Sequence, residues 1–208
     1  MNASLEDRLL GLELQEKEFL HLLASLIIPG TEFTAFQLHA YLFVFGIGKR
    51  TVAQSVGFRS MIGARNFICG AGLLRMQIDS AMRLNAVNLV QDVASFLDQW
   101  IAGKKISMLK SDTGQKLTDF YLVERLGEIY PWVPDVYSQT SSFIHFSSRH
   151  AWATVTRVDE EEREFHFQIG PHEDNHPDEA FLEIVDAFAA ANQMIGDLTK
   201  GAFVHHRK

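Results

Sequence analysis

The sequence has a single cysteine, Cys69, among 208 residues. One thiol excludes an intrachain disulfide or a cysteine-rich metal site, and its place inside an apolar helical pattern predicts a buried structural thiol. The longest apolar run, residues 40–47, is far shorter than the roughly 18 residues that a membrane span requires. The N-terminal stretch lacks the basic and apolar regions of a signal peptide. We therefore expect a soluble, cytoplasmic protein without a membrane partner.

Positive charge is also scarce, with 19 Lys and Arg against 26 Asp and Glu and a formal net charge of −7. This balance excludes the overall basic field that drives non-specific nucleic-acid binding, although it allows a local basic patch. Lys104, Lys105 and Lys110 form such a cluster. Its polar, glycine-containing surroundings favour a solvated loop over a nucleic-acid site.

Apolar residues recur at intervals of three and four along most of the chain, which is the spacing of amphipathic helices. We predict a mainly α protein, a bundle of about six helices with one C-terminal β-hairpin. The chain is expected to form one domain, residues 1–208, with four parts. These are an N-terminal helical pair (1–62), central helices (63–150), a β-hairpin (151–170) and a C-terminal helix (177–198).

Local signals refine the helices. Thr34 with Gln37 fits a capping box, which begins a second helix that is predicted to reach about Val56. The sequence GIGK within this helix does not satisfy the phosphate-loop pattern. Gly70 and Gly72 each cost about 1 kcal/mol relative to alanine in a helix, so we expect a neighbouring helix to approach closely there.

Residues 152–169 alternate with a period of two, which predicts the β-hairpin around an acidic turn. Phe165, Phe167 and Ile169 form its apolar face. Because an isolated hairpin is marginally stable in water, we expect this face to pack on the helices.

The stretch 64–101 contains no proline and repeats apolar residues at helical spacing, so it predicts one long central helix. Its apolar arc should face the core, and its polar arc, which includes Gln77, should face solvent. Arg75, Asp79 and Arg83 break this pattern, because Arg75 lies within the apolar arc and Asp79 near its edge. A charge on a buried face is costly unless it is paired, so this row needs polar partners.

A second row of polar side chains, spaced by four residues, lies in a helix that is predicted over 136–149. Its members are Tyr137, Ser141, His145 and Arg149. The row borders an apolar stripe, so we hypothesise that it faces the charged row of the central helix and provides the missing partners.

If the two rows meet, they form a candidate site. Asp79 would orient His145 or accept a hydrogen bond from Arg149, and the other arginines would clamp a phosphate or carboxylate. Histidine is the side chain of the two rows that changes charge near neutral pH, so His145 is the candidate acid or base. We assign catalytic roles to His145, Arg75 and Asp79, and ligand contacts to Arg83, Tyr137, Ser141 and Arg149. The alternative is a structural network, in which Asp79 bridges the flanking arginines.

His172, Glu173, Asp174, Asn175 and His176 form a second polar cluster. Histidine and carboxylate at this density bind zinc or nickel, but this histidine spacing serves a metal only on a helix, and a proline follows. We therefore assign no metal ligand and no cofactor, and expect a solvated loop that caps the last helix.

A long central helix that carries an arginine, then VYSQTSSFIHFSS with its Y-x-x-x-S-x-x-x-H arrangement, then a small hairpin, resembles the HEPN-like superfamily of bacterial proteins and neighbouring helical families. The resemblance covers about residues 63–170. It implies a helical bundle, often dimeric, and a metal-independent ribonuclease of a toxin–antitoxin or phage-defence system. In that superfamily an arginine precedes the histidine by four to six residues.

The chain departs from this pattern, because Gln139, Thr140 and Ser141 precede His145 and an arginine follows it. The resemblance therefore implies a divergent member. His145 would be the matching histidine, and Arg75 or Arg149 would replace the missing arginine.

These observations lead to one expected function and two alternatives. We expect a HEPN-like bacterial protein, a homo-oligomer, whose polar pocket binds RNA or a small anionic ligand. The first alternative is a non-catalytic homodimeric interaction module built on glycine-rich helices. The second is a metal-dependent hydrolase that uses the histidine-rich loop.

Overall fold

The computed structural model describes residues 3–27, 33–173 and 176–204. This part of the chain is mainly α-helical with a small C-terminal antiparallel sheet, as the periodicity predicted. The helices are α1 (Leu5–Leu26), α2 (Ala35–Gly63), α3 (Phe67–Asn85), α4 (Val93–Ile101), α5 (Asp119–Gly127), α6 (Val133–Ile144), α7 (Ser148–Ala153) and α8 (Asp178–Val204). The strands are β1 (Val155–Asp159) and β2 (Glu164–Phe167).

Helix α2 begins at the predicted capping box. The backbone N–H of Gln37 donates to Oγ1 of Thr34 at 3.2 Å, and the backbone N–H of Thr34 donates to Oε1 of Gln37 at 3.0 Å. The helix continues to Gly63 rather than ending near Val56. Its last turns are retained because they carry core residues such as Phe58, which is fully buried.

Helices α3 and α8 pack tightly against the last turns of α2. The rings of Phe58 and Phe188 stack with their centroids 3.9 Å apart, which joins α2 to α8. A Cβ at Gly70 of α3 would lie only 2.6 Å from Cδ1 of Ile62 on α2. The predicted close approach of a neighbouring helix is therefore confirmed at Gly70.

The predicted single helix over 64–101 is wrong, since the stretch forms two helices. Helix α3 ends at Asn85, a short 3-10 helix follows over Ala86–Leu89, and α4 begins after Asp92. The carboxylate of Asp92 accepts a hydrogen bond from the backbone N–H of Ser95 at 2.9 Å. Such a cap offers the backbone an alternative to a continuing helix, and spacing alone does not reveal it.

The polar arc of α3 is buried, so the prediction that it faces solvent is wrong. Gln77 and Ser80 are fully buried because α2 and α8 cover this side of the helix. Nε2 of Gln77 donates to Oδ1 of Asn192 at 2.5 Å, and Oγ of Ser80 donates to Oε1 of Gln54 at 3.2 Å. These contacts satisfy part of the hydrogen-bonding capacity that burial would otherwise leave unmet.

The exposure of side chains in the structure corrects two further expectations. The thiol of Cys69, in the first turn of α3, is exposed rather than buried. The hairpin pairs as predicted, with Val158 opposite Phe165, but every residue of β2 is exposed. Its apolar face therefore does not pack on the helices.

The last helix extends beyond its predicted end at Leu198 to Val204. None of the helices within the described ranges combines the length and hydrophobicity that crossing a bilayer requires.

Candidate functional site

The two predicted polar rows meet at Arg75. Its guanidinium carbon lies 3.6 Å from the ring centroid of Tyr137 on α6, and its Nε donates to Oγ of Ser141 at 3.3 Å. The hydroxyl of Ser141 in turn donates to the backbone carbonyl of Tyr137 at 2.6 Å. Arg75 is half-buried and packs on an aromatic face, a contact worth about 0.5–2 kcal/mol. The predicted meeting of these two segments is confirmed for these three residues.

His145 and Arg149 do not extend this contact, because the predicted helix over 136–149 is interrupted. Helix α6 ends at Ile144, and His145 is exposed and extended, with φ −109° and ψ 141°. Ser147 then caps a separate helix, α7, and its backbone N–H donates to Nδ1 of His150 at 3.2 Å. Arg149 lies on α7.

Asp79 has different partners from those predicted. Its carboxylate forms ion pairs with Nη1 of Arg50 on α2 and with Nη2 of Arg83 one turn along α3, both at 2.9 Å. The expected contacts with His145 and Arg149 are therefore wrong. The alternative prediction, a structural network in which Asp79 bridges Arg75 and Arg83, is right about Arg83. It is wrong about Arg75, because the second arginine that pairs with Asp79 is Arg50.

Of the two arginines that pair with Asp79, Arg83 is the more buried. It also contacts the carboxylate of Asp119 on α5. Burial alone would lower the pKa of Arg83, but Asp79 and Asp119 together outweigh burial and hold this pKa above its ordinary value. Its Nη1 is buried and has no hydrogen-bond acceptor among the residues that the structure describes. A buried N–H without an acceptor costs about 1–3 kcal/mol.

Arg50, Asp79 and Arg83 form one wall of an open groove of about 460 Å³. The opposite wall is the segment that follows α4, where the chain turns at Gly103 with φ +90°. We call this feature the cationic groove. Its lining residues are Arg50, Asp79, Arg83, Trp100, Gly103, Lys104, Lys105, Ile106 and Ser107. Four of these side chains are cationic and one is anionic, so positive charge accumulates locally on an acidic protein.

Sequence reasoning missed three of these cations as site residues. Lys104 and Lys105 were recognised as a cluster but interpreted as a solvated loop, and Arg50 was not singled out. The lysines lie more than fifty residues from Arg50 along the chain, so only helix packing brings them together. The signal that pointed to the groove was the charged row of α3, which includes Asp79 and Arg83 and needed polar partners.

The histidine-rich segment does not form a metal centre in the described part of the chain. No group of three or more His, Cys, Asp or Glu side chains there is arranged to hold a metal ion. Asp174 and Asn175 of the predicted cluster lie outside the described residues. Asp178 begins α8, and its carboxylate accepts a hydrogen bond from Nη1 of Arg65 at 2.8 Å.

Comparison of the chain with protein-family models, curated proteins and solved structures found no match. Its function is therefore inferred from the geometry of its own side chains.

Proposed function

We propose that this protein binds a phosphate-bearing anion, as RNA or as a small ligand, in the cationic groove. The observation that carries the proposal is the convergence of four cationic side chains, Arg50, Arg83, Lys104 and Lys105, on one open groove. A phosphate group in this groove would lie among these positive charges.

The charges of the groove support this function. Asp79 and Asp119 pair with the two arginines of the groove, whereas Lys104 and Lys105 have no carboxylate partner among the described residues. Nζ of Lys104 donates to the neutral amide of Gln99 at 2.7 Å, so its charge is free to attract an anion. Arginine provides a planar fork for phosphate oxygens, and lysine adds a mobile point charge.

A divergent HEPN-like ribonuclease is the more specific form of this proposal. In that form His145 transfers the proton, and Arg149 replaces the missing arginine, because both side chains are exposed on the surface next to α6 and α7. Arg75 is the weaker choice, since Tyr137 and Ser141 already engage its guanidinium.

Binding is tested by fluorescence anisotropy with a labelled single-stranded RNA, and with inorganic pyrophosphate as the competing small anion. Charge reversal of both groove lysines, Lys104→Glu with Lys105→Glu, should weaken RNA binding by about tenfold or more. Lys110→Glu is the matched control, because Lys110 is an exposed lysine of the same segment outside the groove. Equal losses in the double variant and the control, or no binding by the wild-type protein, would refute the groove as the site.

The same titration separates the two kinds of ligand. Displacement of the RNA by pyrophosphate at similar concentrations favours a small phosphorylated ligand, whereas displacement only by longer RNA favours RNA. If RNA is cleaved in the absence of added metal, His145→Ala should abolish the cleavage and leave binding intact. Retained cleavage in that variant would reject the ribonuclease form of the proposal.

A homodimeric interaction module is the second candidate function. It is favoured by large apolar side chains that remain exposed around α7 and the hairpin. These include Phe146, which is 90% exposed, and Ile169, which is 92% exposed. Exposed apolar patches of this kind mark interaction surfaces. Sedimentation velocity tests this function, because Phe146→Ser with Ile169→Ser should convert a dimer to a monomer, whereas a monomeric wild-type protein would exclude it.

A further inference from the structure

A second cavity, of about 120 Å³, lies between the N-terminus of α3, helix α7 and the segment that follows β2. Four ionisable side chains line it: His150, His172, Glu173 and His176. We call it the histidine cavity. Among the described residues its lining includes no lysine or arginine, which distinguishes it from the cationic groove. It is therefore suited to an uncharged ligand rather than to a phosphate.

The ring of His172 is oriented by a backbone contact. Its Nδ1 lies 2.7 Å from the carbonyl oxygen of Ala64. A carbonyl oxygen only accepts hydrogen bonds, so Nδ1 must carry the proton and donate it. In the neutral ring this leaves Nε2 with a free lone pair. His172 is thus held in the tautomer that acts as a base through Nε2.

His150 is held in the opposite tautomer. Its Nδ1 accepts a hydrogen bond from the backbone N–H of Ser147 at 3.2 Å, so the proton of the neutral ring lies on Nε2. The two histidines therefore bring complementary groups to one cavity. His172 offers a lone pair, and His150 offers an N–H donor.

The carboxyl side chain of Glu173 is largely buried. Its backbone N–H donates to the carbonyl of Arg65 at 3.0 Å, which fixes the residue against the start of α3. The carboxylate lies 3.6 Å from Nε2 of His176. In the described part of the chain, neither of its buried oxygens completes a hydrogen bond of good geometry.

The surroundings of Glu173 favour its protonated form. Burial raises the pKa of Glu173 above its ordinary value. The charges of His176 and His150 and the nearby amides of Phe67 and Ile68 offset only part of this effect. A carboxyl group with a raised pKa keeps its proton to a higher pH than an ordinary surface glutamate, and its protonated form can donate to a leaving group.

We infer that the histidine cavity is a general acid–base site that hydrolyses an uncharged carboxylic ester. His172 takes a proton from water through Nε2, and the resulting hydroxide attacks the carbonyl carbon. Nε2–H of His150 donates to the developing oxyanion. Glu173 gives its proton to the alkoxide as the C–O bond breaks, and the proton on His172 then returns to Glu173 through solvent. Water and ester become acid and alcohol, with no metal or redox partner.

The experiment compares two esters that differ in how much their leaving groups need protonation. p-Nitrophenyl acetate releases a stable phenolate, whereas ethyl acetate releases an alkoxide that requires an acid. Glu173→Gln should slow ethyl acetate hydrolysis by about 100-fold and leave p-nitrophenyl acetate hydrolysis nearly unchanged. Rates are followed by absorbance and by pH-stat titration. The protein is kept in EDTA, and thermal unfolding by circular dichroism verifies that each variant folds.

The base is tested by a substitution that preserves the structural contact of His172. In His172→Asn the side-chain amide can still donate to the carbonyl of Ala64, but the Nε2 lone pair is gone. Both esters should then lose about 100-fold in rate. His21→Asn is the matched control, because His21 is an exposed histidine of α1. It should retain the wild-type rate on both esters.

Three results would overturn the inference. The first is a wild-type rate no higher than that of free imidazole at the same histidine concentration. The second is a folded His172→Asn variant that hydrolyses both esters at the wild-type rate. The third is activity that appears only when a metal ion is added. None of these results bears on the cationic groove, so the two proposals fail separately.

Discussion

The carboxylate of Glu16 on α1 and the guanidinium of Arg59 on α2 form a two-pronged ion pair. Nε of Arg59 donates to Oε1, and Nη2 donates to Oε2, both at 2.9 Å. Glu16 is only 7% exposed, and Oγ of Ser55 donates to the same carboxylate at 2.7 Å. The hydrogen bond to Glu16 is the main cause of the raised pKa of Arg59. The pair joins the first helix to the core.

Breaking this pair should destabilise the protein strongly. Arg59→Met leaves the carboxylate of Glu16 buried without its cation, which costs about 3–5 kcal/mol of unfolding free energy. The double variant with Glu16→Leu should recover much of that loss, since no unpaired charge remains. Urea unfolding of the wild-type protein and the two variants measures both differences. A cost for Arg59→Met below about 1 kcal/mol, as for a surface ion pair, would contradict the enclosed character of this contact.

Arg75 should behave as a structural residue. Arg75→Met removes the contact with the Tyr137 ring and the hydrogen bond to Ser141, and should lower the unfolding free energy by about 1–2 kcal/mol. RNA affinity should not change, because Arg75 does not line the cationic groove. Anisotropy and urea unfolding on the same variant separate the two effects. Weaker RNA binding with unchanged stability would instead return Arg75 to a ligand-binding role.

Two helical glycines should respond to alanine with opposite signs. Gly70→Ala would place a Cβ 2.6 Å from Cδ1 of Ile62, and the resulting overpacking should cost about 1–3 kcal/mol. Gly46→Ala meets no atom within 4 Å in the described structure, so its higher helix propensity should add about 0.5–1 kcal/mol. Thermal unfolding of the pair tests this difference. Stabilisation by both substitutions would show that Ile62 moves aside without cost.

Because of Glu173, the free energy of unfolding should fall as the pH rises above the ordinary titration range of a glutamate. The unfolded chain releases this proton near the ordinary pKa of 4.5, whereas burial keeps the proton on Glu173 to a higher pH in the folded protein. The stabilisation is full below the unfolded pKa and is lost as the pH rises through the raised folded pKa. Glu173→Gln cannot ionise, so the variant should gain stability relative to wild type across this window.

The measurement is urea unfolding at a series of pH values from about pH 4 to pH 7. Glu179→Gln, at an exposed position of α8, is the control and should follow the wild-type curve. A difference between Glu173→Gln and wild type that stays constant with pH would show that the pKa of Glu173 is the same in the folded and unfolded chains.

Part of the site could be predicted because a charged residue on an apolar helical face can be recognised from the sequence. Arg75 in the apolar arc required a polar partner, and Tyr137 with Ser141 on α6 provides it. The extension of that row to His145 failed because the capping contact of Ser147 ends one helix and begins another. A side chain that competes for backbone hydrogen bonds changes the direction of the chain without changing its hydrophobic periodicity.

The sequence by itself determined that the chain is mainly helical, where the hairpin lies and that α3 carries charges in need of partners, because these depend on local periodicity and on the cost of burying charge. Tertiary structure alone decided that Gln77 is buried, that Asp79 pairs with Arg50, and that Lys104 faces them across a groove. The reason is physical. Periodicity fixes the faces of a helix, but which neighbours cover each face depends on how all the helices share one core.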